Sequence, residues 1–587
     1  MKILLLLTQM IFGNSLNIKK INGAEYLIKK FKQYGINTVF AYPGGANLKL
    51  MDTLYKSDIK TIVNRHEQFS GFSAEGYSKS SNRLGCVITT SGPGLTNIIT
   101  PLQDSYSDGI PLLAISAQVD YKKIGTSAFQ ECDAVSLTKP CTLYNSLITS
   151  IYELDQCVDL AIQIALTKTG RKGPVHLDIC SNVFNDIIYI EEDDFIPFVS
   201  DKEYYFYLSN DQFKPFHQIY DAIVNAKKPV LIVGQGCSKD YKKIRKFINK
   251  FNLPTTTTLH GLGIIDENDK KALKMLGMHG SYTANHAIQQ ADLIIGLGYR
   301  FDDRTIGNNN LYALNARNKL GIIHIDISKE KINEVKKIIN PKYSLQIDCN
   351  NFVDKMFEIS KMLNVDENKN KNKEWIDHLQ KLKKDYPFKV NNGMNIPFII
   401  QKLGIILKND YNYLICTGIG IHQMNTAQHF NWKFPKSLLT SGSQGSMGSC
   451  LGFGIGAQLA NPGKKIICID GDGSFMMSCN DLMTIVEYNL PIKIFIMDNE
   501  NLGMVTNWQD QFYNKNRAYS SLKNPDFCKL GESMGIKSIK CEKEQDIDLC
   551  LKEINSNEPL IIHFKVSQDR CLPFVSPGNA LDDMIIE

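Results

Sequence analysis

Hydrophobic residues in this chain gather into short unbroken runs, and most runs end at Gly, Pro or Asp. Thr38–Tyr42 stops at Pro43-Gly44-Gly45, and Lys60–Val63 leads into Arg65-His66-Glu67. Cys86–Thr90 enters Ser91-Gly92-Pro93-Gly94, and Leu112–Ser116 follows. Val175–Ile179 closes the series after Gly170-Arg171-Lys172-Gly173-Pro174. Strands buried on both faces read this way. Gly23–Tyr34, in contrast, has helical periodicity. Strands alternating with helices predict an α/β fold with a parallel sheet.

The pattern returns twice. A second unit opens at Pro229–Gly234 and continues through Asp292–Gly296 and Ile322–Asp326. A third begins near Ile396 and holds Lys465–Ile469 and Ile492–Met497, with a helix predicted over 480–489 between them. We therefore predict three doubly wound parallel-sheet domains, over 19–188, 210–362 and 392–570. A lead-in (1–18) and a tail (571–587) flank them. The acidic, aromatic stretch 190–211 reads as a linker. The charge-rich stretch 364–384 reads as a solvated helix or linker.

Composition narrows the function classes. A chain of 587 residues is too long for one core. The net charge of +5 gives no reason to expect a nucleic-acid partner. Fifteen cysteines, none in a Cys-x-x-Cys pair, read as reduced core thiols. Met1–Phe12 is apolar but too short to span a bilayer, and no clear cleavage site follows. It reads as an unstructured or weakly packed lead-in in preference to a targeting signal, and no membrane partner is expected. Heavy use of Lys, Asn and Ile suggests an A+T-rich genome. The expected location is a plastid stroma or a bacterial-type cytoplasm, with the chain soluble in either.

The third unit carries the sharpest chemistry. One apolar run breaks into Asp470-Gly471-Asp472-Gly473-Ser474, and the next ends in Asp498-Asn499, with Asn499 twenty-seven positions after Asp472. Hard oxygen donors thus lie at the carboxyl ends of two strands, where open α/β sheets bind ligands. A carboxylate and an amide suit Mg²⁺, which completes its shell with water and phosphate oxygens.

Gly-Asp-Gly followed at this spacing by Asn resembles the thiamine-diphosphate motif. That resemblance makes Asp472, Asn499 and the Asn501 carbonyl the metal ligands. It assigns Gly420, His422, Gly445, Met447, Gly473, Ser474 and Gly503 to thiamine diphosphate. Met447 becomes the apolar wedge that bends the cofactor; as structure alone it is core filler. Glu67 becomes the carboxylate beside N1′ of the aminopyrimidine; alone, it is also a plain helix-start residue. Ile421, Asp498 and Phe69-Ser70 depart from the common pattern.

Gly234-Gln235-Gly236 is by itself either a dinucleotide turn or a plain strand–turn–helix. With Gly277-Met278-His279-Gly280, Gly298-Tyr299-Arg300-Phe301-Asp302-Asp303-Arg304 and His324-Ile325-Asp326-Ile327, it resembles the FAD domain of acetolactate synthases. The resemblance assigns Arg171, Gly234, Gly236, Met278, His279, Gly280, Gly298, Arg300, Asp302, Arg304, Asp326 and Ile327 to FAD. It covers about residues 20 to 585 and identifies the chain as similar to the catalytic large subunits of acetolactate synthases. Tyr42–Ala46, Ile124–Gln130, Leu502–Val505 and Ser576–Asp582 add to it.

The resemblance implies three domains: pyrimidine-binding, central FAD-binding and diphosphate-binding. It implies decarboxylation of pyruvate and condensation of the two-carbon unit with a second pyruvate or with 2-ketobutyrate. Arg304 would pair with the second acid's carboxylate, Trp508 would shape the pocket, and Phe129 and Gln130 would line the channel. A homodimer or higher assembly with sites at the subunit interface and a small regulatory subunit are implied partners. Pyruvate oxidase, a non-catalytic binding protein and an FAD-free catabolic synthase stay as alternatives.

Overall fold

The computed structural model describes residues 18–191, 210–363 and 371–586. The chain divides into two compact units, Met1–Thr167 with Lys172–Tyr204, and Lys168–Arg171 with Tyr205–Glu587.

The first unit is built on six parallel strands in the spatial order Lys60–Val63, Thr38–Ala41, Gly85–Thr89, Leu112–Gln118, Pro174–Cys180, Tyr144–Ile148. Leu112–Gln118 and Pro174–Cys180 are buried at every position, as central strands covered on both faces must be. The helix Gly23–Gln33 starts at a capping box. Asn22 Oδ1 accepts from Glu25 N at 3.0 Å, and the Glu25 carboxylate accepts from Asn22 N at 2.9 Å. Lys30 and Lys32 occupy its last turn, where the helix dipole favours positive charge. Its apolar face, including Leu27 and Phe31, joins the core of this sheet.

The second unit holds two six-stranded sheets. One runs Ala272–Met275, Thr255–Thr257, Pro229–Val233, Leu293–Leu297, Gly321–Asp326, Tyr343–Gln346. The other runs Leu438–Leu439, Tyr413–Thr417, Lys465–Gly471, Lys493–Asp498, Leu560–Lys565, Lys537–Cys541. All pairings in the three sheets are parallel. With strands numbered along the chain inside each sheet, the first and third sheets share the order 2-1-3-4-6-5. The middle sheet is ordered 3-2-1-4-5-6, the arrangement of dinucleotide-binding sheets.

Several elements escape the apolar-run pattern. Ile18–Asn22 pairs antiparallel with Ile187–Glu191, so Ile18, expected in the lead-in, lies in a strand. Lys19 and Lys20 of this strand are exposed, and no buried run marks it. Thr255–Thr257 is buried but built of threonines. The charge-rich stretch contains the helix Lys373–Asp385, which is anchored rather than solvated all round. Trp375, Ile376 and Leu379 are buried, and Trp375 Nε1 donates to Pro229 O at 3.1 Å. Residues 1–17, 192–209 and 364–370, which include most of the expected lead-in and linker, lie outside the described residues. Among the described residues no helix is long and apolar enough to cross a membrane.

Candidate active site

The carboxyl edge of the third sheet collects helix N-termini that lack side-chain caps. The helix Ile421–His429 starts after Tyr413–Thr417, Ser449–Ala460 starts after the Gly-rich turn, and Gly503–Phe512 starts after Lys493–Asp498. None has a side-chain cap hydrogen bond. Some helices elsewhere carry such caps, from Asn22, Ser150, Ser281 and Asn395. Bare amides and the positive ends of helix dipoles together suit a diphosphate. Gly420, the residue before the first of these helices, has φ +145°, a backbone that L side chains rarely adopt. The turn 442–447, which carries Gly445 and Met447, is open to solvent or half-buried.

Hard oxygen ligands stand at the same edge. Asp472 follows the strand Lys465–Gly471 and Asn499 follows Lys493–Asp498, its neighbour in the sheet. Asp472 Oδ2 accepts from Asn524 Nδ2 at 2.7 Å, and the same nitrogen donates to Asp498 Oδ1 at 2.8 Å. Burial pushes the Asp472 carboxyl up to about 6; the Asn524 hydrogen bond opposes this and the Asp498 charge adds to it. Asn499 Oδ1 accepts from Asn501 N at 3.1 Å, and Asn501 Nδ2 donates to Asn499 O at 3.1 Å. A buried carboxylate beside amide oxygens is a donor set that fits a hard divalent cation.

Asp498 is accounted for by residues that no local motif announced. His563 Nε2 and Lys565 Nζ contact its Oδ2 at 2.9 and 3.1 Å. Burial works against its charge, but these hydrogen bonds prevail and hold it well below the ordinary carboxylate range. The only sequence signal was a His and a Lys inside the buried run Leu560–Lys565. The buried His422 lies with Nε2 3.4 Å from Asp470 Oδ1. Ser474 Oγ accepts from Gly448 N at 3.0 Å, joining the Gly-Asp-Gly turn to the Gly-rich turn. A Cβ on Gly473 would meet Leu502 and Leu522 side chains at 2.9 and 3.0 Å.

In the first unit, Glu67 opens the helix Glu67–Ser80 immediately beyond the strand Lys60–Val63. Asn97 Nδ2 donates to Glu67 Oε2 at 2.9 Å. Phe69 and Ser70, the departures noted above, are buried in this helix. Phe129 is 87% exposed, and Gln130 is half-buried with φ +62°. A separate acidic cluster, Glu75, Asp104 and Asp108, encloses Lys79 Nζ at 2.8, 4.0 and 3.1 Å and is an internal ion-pair group.

At the middle sheet, Gly234, Gly298 and Asp326 end or follow three adjacent strands. The backbones of the two glycines nearly touch: a Cβ on Gly234 would lie 2.0 Å from Gly298 O. Gly236 is also close, 3.0 Å from the Gly298 Cα by the same measure. Burial raises the Asp326 carboxyl, and the Ser328 amide and the Arg171 and Arg300 charges oppose that rise. Gln346 Nε2 donates to Ile327 O at 3.3 Å. Asp302 Oδ1 accepts from Thr305 Oγ1 at 3.0 Å. Arg300 Nη2 donates to Ser443 Oγ at 2.7 Å, so this edge touches the Gly-rich turn of the third sheet.

Residues far apart in sequence meet beside it. Arg304 Nη1 lies 3.3 Å from Met278 Sδ, and Met278 N donates to Arg304 O at 2.7 Å. Val575 N donates to Met278 O at 2.8 Å. The Phe574 ring is 5.3 Å from His279 and 6.1 Å from Trp508, centroid to centroid. Gly280 N closes a turn onto Gly277 O at 2.8 Å. The tail residue Phe574 thus connects Trp508 to the Met278-His279 segment, a link the sequence reading missed.

Three parallel sheets, the third edged by uncapped helix N-termini and hard oxygen donors, point to one class of enzyme. "Thiamine pyrophosphate enzyme, N-terminal TPP binding domain" matches residues 21–137. "Thiamine pyrophosphate enzyme, central domain" matches 216–356 and "C-terminal TPP binding domain" of the same enzymes matches 418–564. The chain is 38% identical to "Acetolactate synthase catalytic subunit, mitochondrial" of Saccharomyces cerevisiae, over 96% of this chain and 84% of the relative. It is 37% identical to "Probable acetolactate synthase large subunit" of Methanococcus aeolicus (96% and 95%). It is 35% identical to "Acetolactate synthase 1, chloroplastic" of Zea mays (96% and 89%). The chain belongs to the acetolactate synthase catalytic-subunit family.

Proposed function

We propose that this chain condenses two 2-keto acids, with pyruvate as the donor and a second pyruvate or 2-ketobutyrate as the acceptor. The products are 2-acetolactate and 2-aceto-2-hydroxybutyrate, on the route to valine, leucine and isoleucine. The observation that carries the reading is the third-sheet edge, where Asp472 and Asn499 stand among bare helix N-termini.

When bound, thiamine diphosphate supplies the electron sink that lets pyruvate lose carbon dioxide and its two-carbon remainder act as a nucleophile. Asp472, Asn499 and the Asn501 carbonyl would hold Mg²⁺, which would neutralise the diphosphate's charge. Glu67, oriented by Asn97, would hold the aminopyrimidine at its N1′ nitrogen. Met447 would be the apolar side chain against which the cofactor rests. Arg304 pairs with the acceptor's carboxylate through charge-assisted bonds, and its contact with Met278 near Phe574 and Trp508 supports one acceptor pocket. FAD would be held at the middle sheet, whose strand order and glycine contacts support a dinucleotide. Its role is structural, since the condensation needs no redox step.

Glu67 and Asp472 belong to different units, and we propose a homodimer or higher assembly whose sites use both protomers. Relatives named as catalytic or large subunits support a separate regulatory subunit. Composition supports a plastid stroma or a bacterial-type cytoplasm. The test is acetolactate formation from pyruvate by the purified chain with thiamine diphosphate, Mg²⁺ and FAD, each omitted in turn. Glu67→Gln is expected to lower the rate by about 10²–10⁴-fold, the usual worth of a positioned acid–base group. Acetyl phosphate, acetate or aldehyde in place of acetolactate rejects the synthase reading.

A further inference from the structure

The segment that presents Phe129 and Gln130 is held in an unfavourable backbone. Ser127 and Gln130 both have positive φ, +58° and +62°, in the region where non-glycine residues are strained. Gly92 closes from the other side: a Cβ there would lie 3.0 Å from the Gln130 Cβ and carbonyl oxygen. A loop like this keeps its shape only if its surroundings over-determine it.

Two side chains do so. The Glu131 carboxylate accepts from Gly125 N and, at 3.0 Å, from Ala128 N, closing the loop on itself. The buried Gln118 ties the loop to the sheet. Its Nε2 donates to Cys132 O at 2.8 Å and to Asp178 Oδ2 at 2.9 Å, while its Oε1 accepts from Val119 N at 2.9 Å. Asp178 is fixed in turn. Its Oδ1 accepts from Ser116 Oγ at 2.5 Å, Ser116 Oγ shares a 2.7 Å hydrogen bond with His176 Nε2, and His176 Nδ1 lies 3.0 Å from Thr138 Oγ1. Ser116, His176, Asp178 and Gln118 are all essentially buried. The chain of bonds runs across the neighbouring strands Leu112–Gln118 and Pro174–Cys180 and ends on the loop backbone.

We propose that Gln118, anchored by Asp178, and Glu131 are positioning residues that hold Phe129 and Gln130 in place for the keto acid substrates. The inference rests on the reading of Phe129 and Gln130 as channel residues. A loosened loop loses binding to ground and transition states alike, which raises KM and spares kcat. General destabilisation does the reverse, lowering the active fraction at constant KM.

The experiment compares Gln118→Leu and Glu131→Gln with the parent as holoenzyme with thiamine diphosphate, Mg²⁺ and FAD. It reads KM and kcat for pyruvate together with amide hydrogen exchange. Both variants are expected to raise KM about 5- to 20-fold with kcat within about threefold. Exchange at Gly125 and Ala128 is expected to quicken about tenfold while the strand Leu112–Gln118 stays protected. Unchanged exchange in the loop overturns the positioning role and leaves the channel reading intact. A loosened loop with unchanged KM overturns the inference at its functional end; Gln130→Ala, with KM also unchanged, then locates the failure in the channel reading. If Gln118→Leu does not fold, Glu131→Gln, at the half-exposed end of the tie, carries both readouts.

Discussion

Asn524 donates to Asp472 at 2.7 Å from 52 positions away and, through the same nitrogen, to Asp498 at 2.8 Å. One neutral amide therefore stands between two buried carboxylates at the proposed metal site. Asn524→Leu removes that donor, which costs about 1–3 kcal/mol when the acceptors stay buried. A divalent cation on Asp472 compensates part of this. The expected outcome is a lower urea midpoint for the cofactor-free variant and a much smaller deficit with Mg²⁺ and thiamine diphosphate. Equal deficits in both states reject a cation at Asp472.

Gly503 leaves no room for a side chain. A Cβ there would meet Ile421 Cδ1 at 2.7 Å and Asn499 Nδ2 at 3.0 Å. Gly503→Ala is expected to displace Asn499 and weaken Mg²⁺ activation about tenfold or more, since ligand geometry is demanding for this ion. A Mg²⁺ titration of activity measures it. An unchanged midpoint shows that Asn499 is not a ligand.

Trp508 packs on Phe512 and Phe574, with ring centroids at 5.5 and 6.1 Å. Trp508→Leu widens that aromatic wall. We expect the preference for 2-ketobutyrate over pyruvate as acceptor to fall about tenfold, in the range one methylene contributes to discrimination, with acetolactate formation retained. Competition assays with both acceptors decide, and an unaltered product ratio contradicts the assignment.

Buried imidazoles make the fold acid-sensitive. Burial pushes His176 down to about 3 and His324 down to about 4; for His324 the hydrogen bond with Tyr299 O only partly offsets this. Burial, helped by the Lys274 charge, takes His429 to about 3. Unfolded histidine titrates near pH ~6.5, so the unfolded chain takes up protons first. The stability these groups contribute is fully present above pH ~6.5 and is lost as pH falls toward about 3–4. Burial raises Asp178 to about 6, and it works in the opposite direction, its contribution lost as pH rises through that value. His324→Leu is expected to reduce the slope of unfolding free energy between pH ~6 and ~5 by about 1.4 kcal/mol per pH unit. Urea midpoints across that interval give the slope, and a slope equal to the parent's refutes it.

Much of this protein is legible in its sequence. The strands Pro229–Val233, Lys465–Gly471 and Lys493–Asp498 are buried along nearly their whole length, and strands buried on both faces must be apolar throughout, so they stand out in sequence. The motifs at their carboxyl ends were readable for the same reason. Asp472 and Asn499 lie one βαβ unit apart, and the right-handed crossover brings such ends side by side. Strands that are short, half-exposed or threonine-built, such as Tyr144–Ile148 and Thr255–Thr257, carry no such mark.

The sequence by itself therefore determined the α/β class, the parallel sheets and the chemical groups at their edges, because local burial and turn geometry act over a few residues. Tertiary structure alone decided what surrounds those groups. Asn524 reaches Asp472, His563 and Lys565 hold Asp498, Phe574 joins Trp508 to His279, and Gln118 secures the Cys132 carbonyl. These partners come from separate loops and strands. Their meeting depends on strand order and on how the loops pack, and hydrophobic periodicity encodes neither.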